Sequence, residues 1–200
     1  MATRIADSAD VAADAVIGEG SSIWHLAQVR EGAVLGADCV IGRGAYIGPD
    51  VRLGDACKVQ NYALVYEPAR LADGVFIGPA AVLTNDMHPR AINPDGSLKS
   101  VQDWEPVGVS IGYGASIGAR AVCVAPLQIG AWATVAAGAV VTRDVPDHAL
   151  MVGVPARQRG WVGQAGAPLQ QDGDGRWTCP VSGTTYLSHG DTIREVAPNE

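Results

Sequence analysis

The chain has 200 residues, 14 basic and 21 acidic, for a net charge of −7. That length suits one domain with a real core and a small appendage, and the acidic balance argues against a general nucleic-acid binder while leaving room for a local basic pocket. No apolar run approaches the ~18 residues that cross a membrane, and the opening MATRIADSADVAADAV lacks the basic-then-apolar order of a secretory signal, so a cytoplasmic protein is expected.

From the N-terminus the first feature is a repeat, the pattern to look for before any single element. Ile5, Val11, Ile17, Ile23 and Val29 open a series of fourteen aliphatic residues spaced by six that runs unbroken to Leu83. Glycine often follows directly, as in Ile17-Gly18, Leu35-Gly36, Ile41-Gly42 and Leu53-Gly54. Four residues after each aliphatic position comes a small one, such as Ala27, Ala33, Cys39, Ala45 or Ala63. A period of six fits neither a 3.6-residue helix nor a simple alternating strand. It fits a coil with flat sides and tight corners, each hexad giving one short strand and one turn. The aliphatic and small residues then point inward and stack on their equivalents in neighbouring coils. Glycine suits corners that need unusual dihedrals or close backbone approach. Three hexads make an 18-residue coil, with coils stacked at roughly the 4.8 Å strand spacing. An all-β parallel β-helix is expected.

The beat then breaks. Leu83 and Ile111 are 28 residues apart, not a multiple of six, and the segment between them holds a polar loop insertion expected over 86–108. A second run resumes at Ile111 and continues through Ile117, Cys123, Ile129, Val135 and Val141. The repeat domain is expected to span 1–163. Beyond it, GQAGAPLQQDGDG reads as a linker, and the remainder of 164–200, with Trp177, Tyr186 and Gly190, as a small β-hairpin extension.

The four cysteines are widely spaced and form no CxxC pair. They read as reduced thiols; Cys39, Cys57 and Cys123 sit at inward positions as packing residues. Cys179, in CPVSG, stands alone, so no metal site is expected there. Chance spacing of four histidines, none in a His-x4-His pair, argues against a zinc-dependent γ-class carbonic anhydrase, a rival on the same kind of repeat. A non-catalytic β-helix scaffold is the other rival.

The hexads resemble those of the hexapeptide-repeat acyltransferase superfamily, which implies a left-handed parallel β-helix. The segments SSIWHLAQVREGAVLGADCVIG, CKVQNYALVYEPARLADGVFIGPAAVLTND and ALMVGVPARQRGWV are similar to those of bacterial N-acetyltransferases acting on nucleotide-linked amino sugars, in particular the UDP-2-acetamido-3-amino-2,3-dideoxy-glucuronate N-acetyltransferase group. The resemblance covers about residues 5 to 163. It implies acetyl-CoA as co-substrate, no metal, and N-acetylation of an amino sugar, a 3-amino sugar first, for cell-surface polysaccharide or glycoside biosynthesis. It further implies a homotrimer with sites between subunits. His88 stands before Pro89-Arg90 where many relatives carry an aromatic residue or Asn, a departure that bears on the sugar.

The 18-residue register places polar residues independently of the resemblance. His25, Arg43 and Asn61 fall on one corner; Glu67 and Asn85 fall on another. The two sets meet only if one subunit's first edge faces another's second. The resemblance puts Asn85 near the reacting amine, orienting it, with Glu67 available to accept a hydrogen bond or proton. His25 reads as a substrate contact or a general base, since an imidazole titrates in the right range, and His88 is its rival in the loop. Lys58, Gln60, Asn61 and Arg90 are candidates for the nucleotide-sugar. VAAGAVVTRDVP and VGVPARQRGWV resemble the superfamily's CoA-binding end, which implies that Ala136, Ala137 and Gly138 leave room for pantetheine and adenine and that Arg143, Arg157 and Arg159 meet the CoA phosphates, where a guanidinium pairs strongly.

Overall fold

In the computed structural model, which describes residues 2–173 and 175–196, each hexad closes one two-residue strand and one corner. Ile23, Ile41, Val59 and Ile77 lie on one face, Val29, Ile47, Val65 and Leu83 on a second, and Leu35, Leu53 and Leu71 on a third. Up to the insertion each rung pairs in parallel with the rung 18 residues on, as Ile23 with Ile41 and Val65 with Leu83. The three sheets hold nine, seven and six strands. No described residue is helical.

The core follows from the sequence pattern. Ile41, Ile47, Val59, Val65, Ile77 and Leu83 are each 0% exposed. The small residues between them, among them Ala27, Ala33, Cys39, Ala63 and Ala81, are also 0% exposed. A prism this narrow has no space for large side chains at alternate inward positions, which is why alanine recurs there. Each buried Val, Leu or Ile contributes about 1.5–3 kcal/mol relative to exposure. The first coil is the exception: Ile5 is 47% exposed, because no rung lies beneath it.

The glycines divide into two functions. Gly42 has ordinary dihedrals but lies so close to the next coil that a Cβ would sit 2.6 Å from the Asn61 nitrogen. The left-handed conformation falls two residues later, at Gly44 (φ 61°) and at the matching Leu26, Asp38 and Tyr62. Close approach and unusual dihedrals are therefore separate demands at each corner.

The 28-residue interval breaks the sequence phase and leaves the spatial register intact. Leu71 pairs with Ile111, Ile77 with Ile117 and Leu83 with Cys123. The chain leaves the second face at Leu83, loops out, and re-enters the third face at Val109. Val107 N–H donates to Asn85 C=O at 3.0 Å, which ties the two ends of the loop together.

The tail differs from the expected single hairpin. Ala149–Val152 completes the first face and pairs antiparallel with Arg157–Trp161. Gln170–Gly173, Arg176–Thr178, Thr185–His189 and Thr192–Glu195 then form a four-stranded antiparallel sheet. The segment read as a linker contributes the first of these strands and the buried Leu169. The sheet is anchored by Tyr186, which is 1% exposed, packs on His148 at 5.4 Å between ring centroids, and accepts a hydrogen bond from Gln164 N–H. Burying an aromatic ring of that size outweighs the polar, glycine-rich composition that suggested a linker.

Candidate active site

The corner between the first and second faces carries His25, Arg43 and Asn61 on successive rungs. Arg43 N–H donates to Asn61 Oδ1 at 2.9 Å, and the backbone of each coil bonds to the next through Gly44 N–H to His25 C=O and Tyr62 N–H to Arg43 C=O. A cleft of about 310 Å³ opens here, lined by Trp24, His25, Arg43, Gln60 and Asn61 together with Gly42 and Val40. His25 Nδ1 lies 2.9 Å from Ser8 Oγ. When that ring nitrogen carries the proton and Ser8 accepts it, Nε2 presents a lone pair, the form a base requires. Arg43 Nε donates to the Tyr62 hydroxyl at 3.2 Å, which holds the guanidinium at the cleft wall.

The corner between the second and third faces carries Glu67 and Asn85. Glu67 Oε2 is buried and has no hydrogen-bond partner among the described residues. It occupies the room left by Gly48, where a Cβ would come within 2.6 Å of that oxygen. Buried polar atoms are satisfied in the great majority of cases, so this oxygen marks a place built for something other than the chain's own packing. Burial, and then the Glu67 carboxylate, push the Tyr46 phenol above its ordinary pKa; Arg30 opposes them. Tyr46 and Tyr66 pack with their ring centroids 5.1 Å apart.

The insertion starts beside Asn85. Asp86 Oδ1 accepts the His88 N–H at 2.7 Å, which leaves the His88 ring exposed. Arg90 is exposed too, and lines a separate cleft within the loop with Asp86, Lys99 and Trp104. Lys58 projects from the first face between Val40 and Phe76 and lies outside the His25 cleft.

Ala137 and Gly138 continue the His25 corner at its far end: Gly138 N–H donates to Ala119 C=O, Arg120 N–H to Pro79 C=O and Ala80 N–H to Asn61 C=O, one rung at a time. Ala137 is exposed, and a Cβ on Gly138, whose φ is 70°, would meet nothing within 4 Å. Ala136 N–H donates to Met151 C=O, so Ala136 serves the rung itself. Arg143 and Arg157, distant in sequence, line one cleft of about 300 Å³ with Asp144, Gln158 and Asp191. Arg159 is exposed and lies outside it.

Within one chain the structure thus brings together His25, Gln60 and Asn61, and separately Arg143 and Arg157. It keeps Glu67 and Asn85 on another corner. Three contributors were not picked out from sequence. Trp24 shares its column with Gln60, 36 residues on, which the register would have shown. Ser8 stands 18 residues before Leu26, and Leu26 N–H donates to Ser8 C=O. Asp191 carried no signal, because its position depends on how the C-terminal sheet docks. Among the described residues no cluster of His, Cys, Asp and Glu is placed to hold a metal ion.

Comparison with known proteins defines the class. Residues 14–49 match the family described as bacterial transferase hexapeptide (six repeats), and residues 108–143 match the hexapeptide repeat of succinyl-transferase. The chain thus carries hexapeptide repeats in both runs and folds them as a parallel β-helix. It is 35% identical over 158 residues to the bifunctional protein GlmU of Nitratidesulfovibrio vulgaris (strain DSM 19637 / Miyazaki F), covering 76% of this chain and 34% of that protein. The chain spans about a third of the length of the first curated relatives it matches. A shorter stretch of 57 residues is 56% identical to dTDP-3-amino-3,6-dideoxy-alpha-D-galactopyranose 3-N-acetyltransferase of Aneurinibacillus thermoaerophilus, covering 28% of this chain and 30% of that enzyme. Among solved structures, a mutant GDP-perosamine N-acetyl transferase from Caulobacter crescentus, in complex with CoA and GDP-perosamine, matches with a TM-score of 0.51 and 26% identity over 80% of this chain and 57% of that one. A UDP-N-acetylglucosamine acyltransferase from Bacteroides fragilis 9343 matches with a TM-score of 0.65 at 16% identity, over 80% of this chain and 61% of that one, and shows the fold alone.

Proposed function

We propose that this protein transfers the acetyl group of acetyl-CoA to an amino group on a nucleotide-linked amino sugar, acting in the cytoplasm as a homotrimer with sites between subunits. The observation that carries the reading is the division of polar groups along the β-helix. A polar cleft at His25 and a second cleft holding Arg143 and Arg157, beside Asp144 and Asp191, lie towards opposite ends of the stack, which leaves one for an acceptor and offers two guanidiniums to the phosphates of a donor. The bound CoA and nucleotide amino sugar of the GDP-perosamine enzyme support the pairing of substrates. The 56% identical stretch favours a 3-amino sugar.

In this mechanism Arg143 and Arg157 hold donor phosphates, and the open corner at Ala137 and Gly138 admits the pantetheine arm. Asn85 orients the acceptor amine, with His25, Gln60 and Asn61 from the facing subunit holding the sugar nucleotide, Lys58 meeting it from the face outside that cleft, and Arg90 and His88 closing the loop side. The amine nitrogen attacks the thioester carbonyl, a tetrahedral oxyanion forms, and the C–S bond breaks. The amine proton passes to Glu67 or His25, and the CoA thiolate leaves and is protonated. An amine partly neutral at pH 7, near the ~8 of an α-amino group, attacks well once held in line, so positioning supplies much of the acceleration.

The test is a screen of UDP-, dTDP- and GDP-linked 3-amino and 4-amino sugars with acetyl-CoA, reading thiol release. Turnover of a 3-amino sugar is the expected result. Absence of turnover across the panel sinks the proposal.

A further inference from the structure

The proposed reaction leaves two side chains of the cleft, Trp24 and Arg43, without a task. Trp24 is 38% exposed, an unusual position for an indole in a chain with a single phenylalanine and five tryptophans. Its backbone is fixed by N–H donation to Ile41 C=O at 2.9 Å. The Arg4 guanidinium lies over its ring, 4.7 Å from the centroid, a cation–π contact that holds the ring in one pose. Arg4 comes from the preceding rung, whereas Gly42, Arg43, Gln60 and Asn61 come from following rungs. Arg4 therefore covers one ring face, and the other looks into the cleft.

The column through Trp24 reads Trp24, Gly42, Gln60 at 18-residue intervals. Gly42 puts no side chain between its neighbours, and backbone proximity keeps that position glycine. Two rungs at strand spacing separate Trp24 from Gln60 by about 9.6 Å. That gap takes one planar ring stacked on the indole at the ~4.5–5 Å of an offset aromatic pair. Gln60 and Asn61 line the same cleft; the Gln60 amide offers a donor and an acceptor, and Asn61, whose Oδ1 accepts the Arg43 N–H, keeps its NH2 as a donor. No carboxylate pairs with Arg43 among the described residues, so its guanidinium is available to a phosphate.

We propose that Trp24 is the platform on which the nucleobase of the nucleotide-linked acceptor stacks, with Gln60 and Asn61 reading the base edge and Arg43 meeting the diphosphate. This rests on the acceptor class proposed above. The adenine of CoA is the competing planar ring. It belongs at the Arg143 and Arg157 cleft, which follows the seventh rung of the first face, whereas Trp24 follows the second.

Calorimetric titration of the whole protein with UDP, dTDP, GDP, 3′,5′-ADP and glucose 1-phosphate tests the inference without requiring turnover. At least one of UDP, dTDP and GDP binds the wild type. Trp24→Ala weakens that nucleotide roughly tenfold or more, the range of a lost base–aromatic stack, while Trp24→Phe keeps most of the affinity and glucose 1-phosphate is unaffected. Thermal melting of both variants checks the fold. An unchanged Kd in Trp24→Ala overturns the platform alone, as does equal weakening of glucose 1-phosphate. Selective loss of 3′,5′-ADP reassigns the ring to CoA and overturns it too. If none of the three nucleoside diphosphates binds the wild type, the acceptor class itself falls.

Discussion

Glu67→Gln separates chemistry from packing, because the two respond in opposite directions. Glu67 Oε2 is buried without a partner, over a glycine whose missing side chain makes its room. An unpartnered buried polar atom costs about 1–3 kcal/mol, and a charged one more. Glutamine keeps the shape and removes the charge. Relief of about 1 kcal/mol raises the melting temperature by about 2–4 °C in a chain of this size. If Glu67 takes the amine proton, the same substitution lowers kcat by about 10²–10⁴-fold. The expected signature is therefore lost turnover with equal or greater stability, the trade-off of a residue held for reaction rather than for the fold. Thiol release at saturating substrates measures kcat, and calorimetry measures melting. Turnover within twofold of wild type removes Glu67 from the reaction. A fall in melting temperature of several degrees refutes the energetic step.

Arg157→Ala raises KM for acetyl-CoA about tenfold, the loss of one charge-assisted phosphate pair, and leaves KM for acetyl-pantetheine, which lacks the nucleotide, unchanged. Leu83→Ala, at a fully buried rung, costs about 2–5 kcal/mol in denaturant unfolding, whereas Ile5→Ala, at the half-exposed first rung, costs about 1 kcal/mol or less. Burial pushes the Cys123 thiol up to about 12, above the ~8.5 of a free thiol. Between those values the native state holds a proton that the unfolded chain releases, so stability falls as pH rises from about 9 towards 12, and Cys123→Ala flattens that decline in a melting series.

The repeat was legible because its constraint is local and periodic. One aliphatic and one small residue per hexad is the whole requirement of a narrow prism. Fourteen successive positions from Ile5 to Leu83 meet it, and modular arithmetic then placed His25, Arg43 and Asn61 on one corner and Glu67 on another. The same arithmetic reached Trp24 and Ser8 only once their columns were read alongside the polar ones. The C-terminal sheet was not legible. Its strands pair antiparallel with irregular register, as at Gln171 and Gly173, and Tyr186 is buried by docking on His148 rather than by any period of its own. Asp191 reaches the Arg143 cleft by that docking alone.

The prism itself forces the remaining question. Its three faces are flat and stacked, so residues on different corners of one chain cannot turn towards one another. Bringing Glu67 and Asn85 to His25 and Asn61 requires a second copy, with one chain's first corner against another's second. Complementation tests this directly. Glu67→Gln subunits keep an intact His25 corner, and His25→Ala subunits keep an intact Glu67 corner. In mixed ring-shaped assemblies each interface is heterologous, so random mixing in equal amounts makes about one interface in four wild-type on both sides. Co-refolding the two variants is expected to restore about a quarter of wild-type turnover, far above either alone. Activity no higher than the mean of the two separate variants would place Glu67 and His25 in different sites and end the case for a shared one.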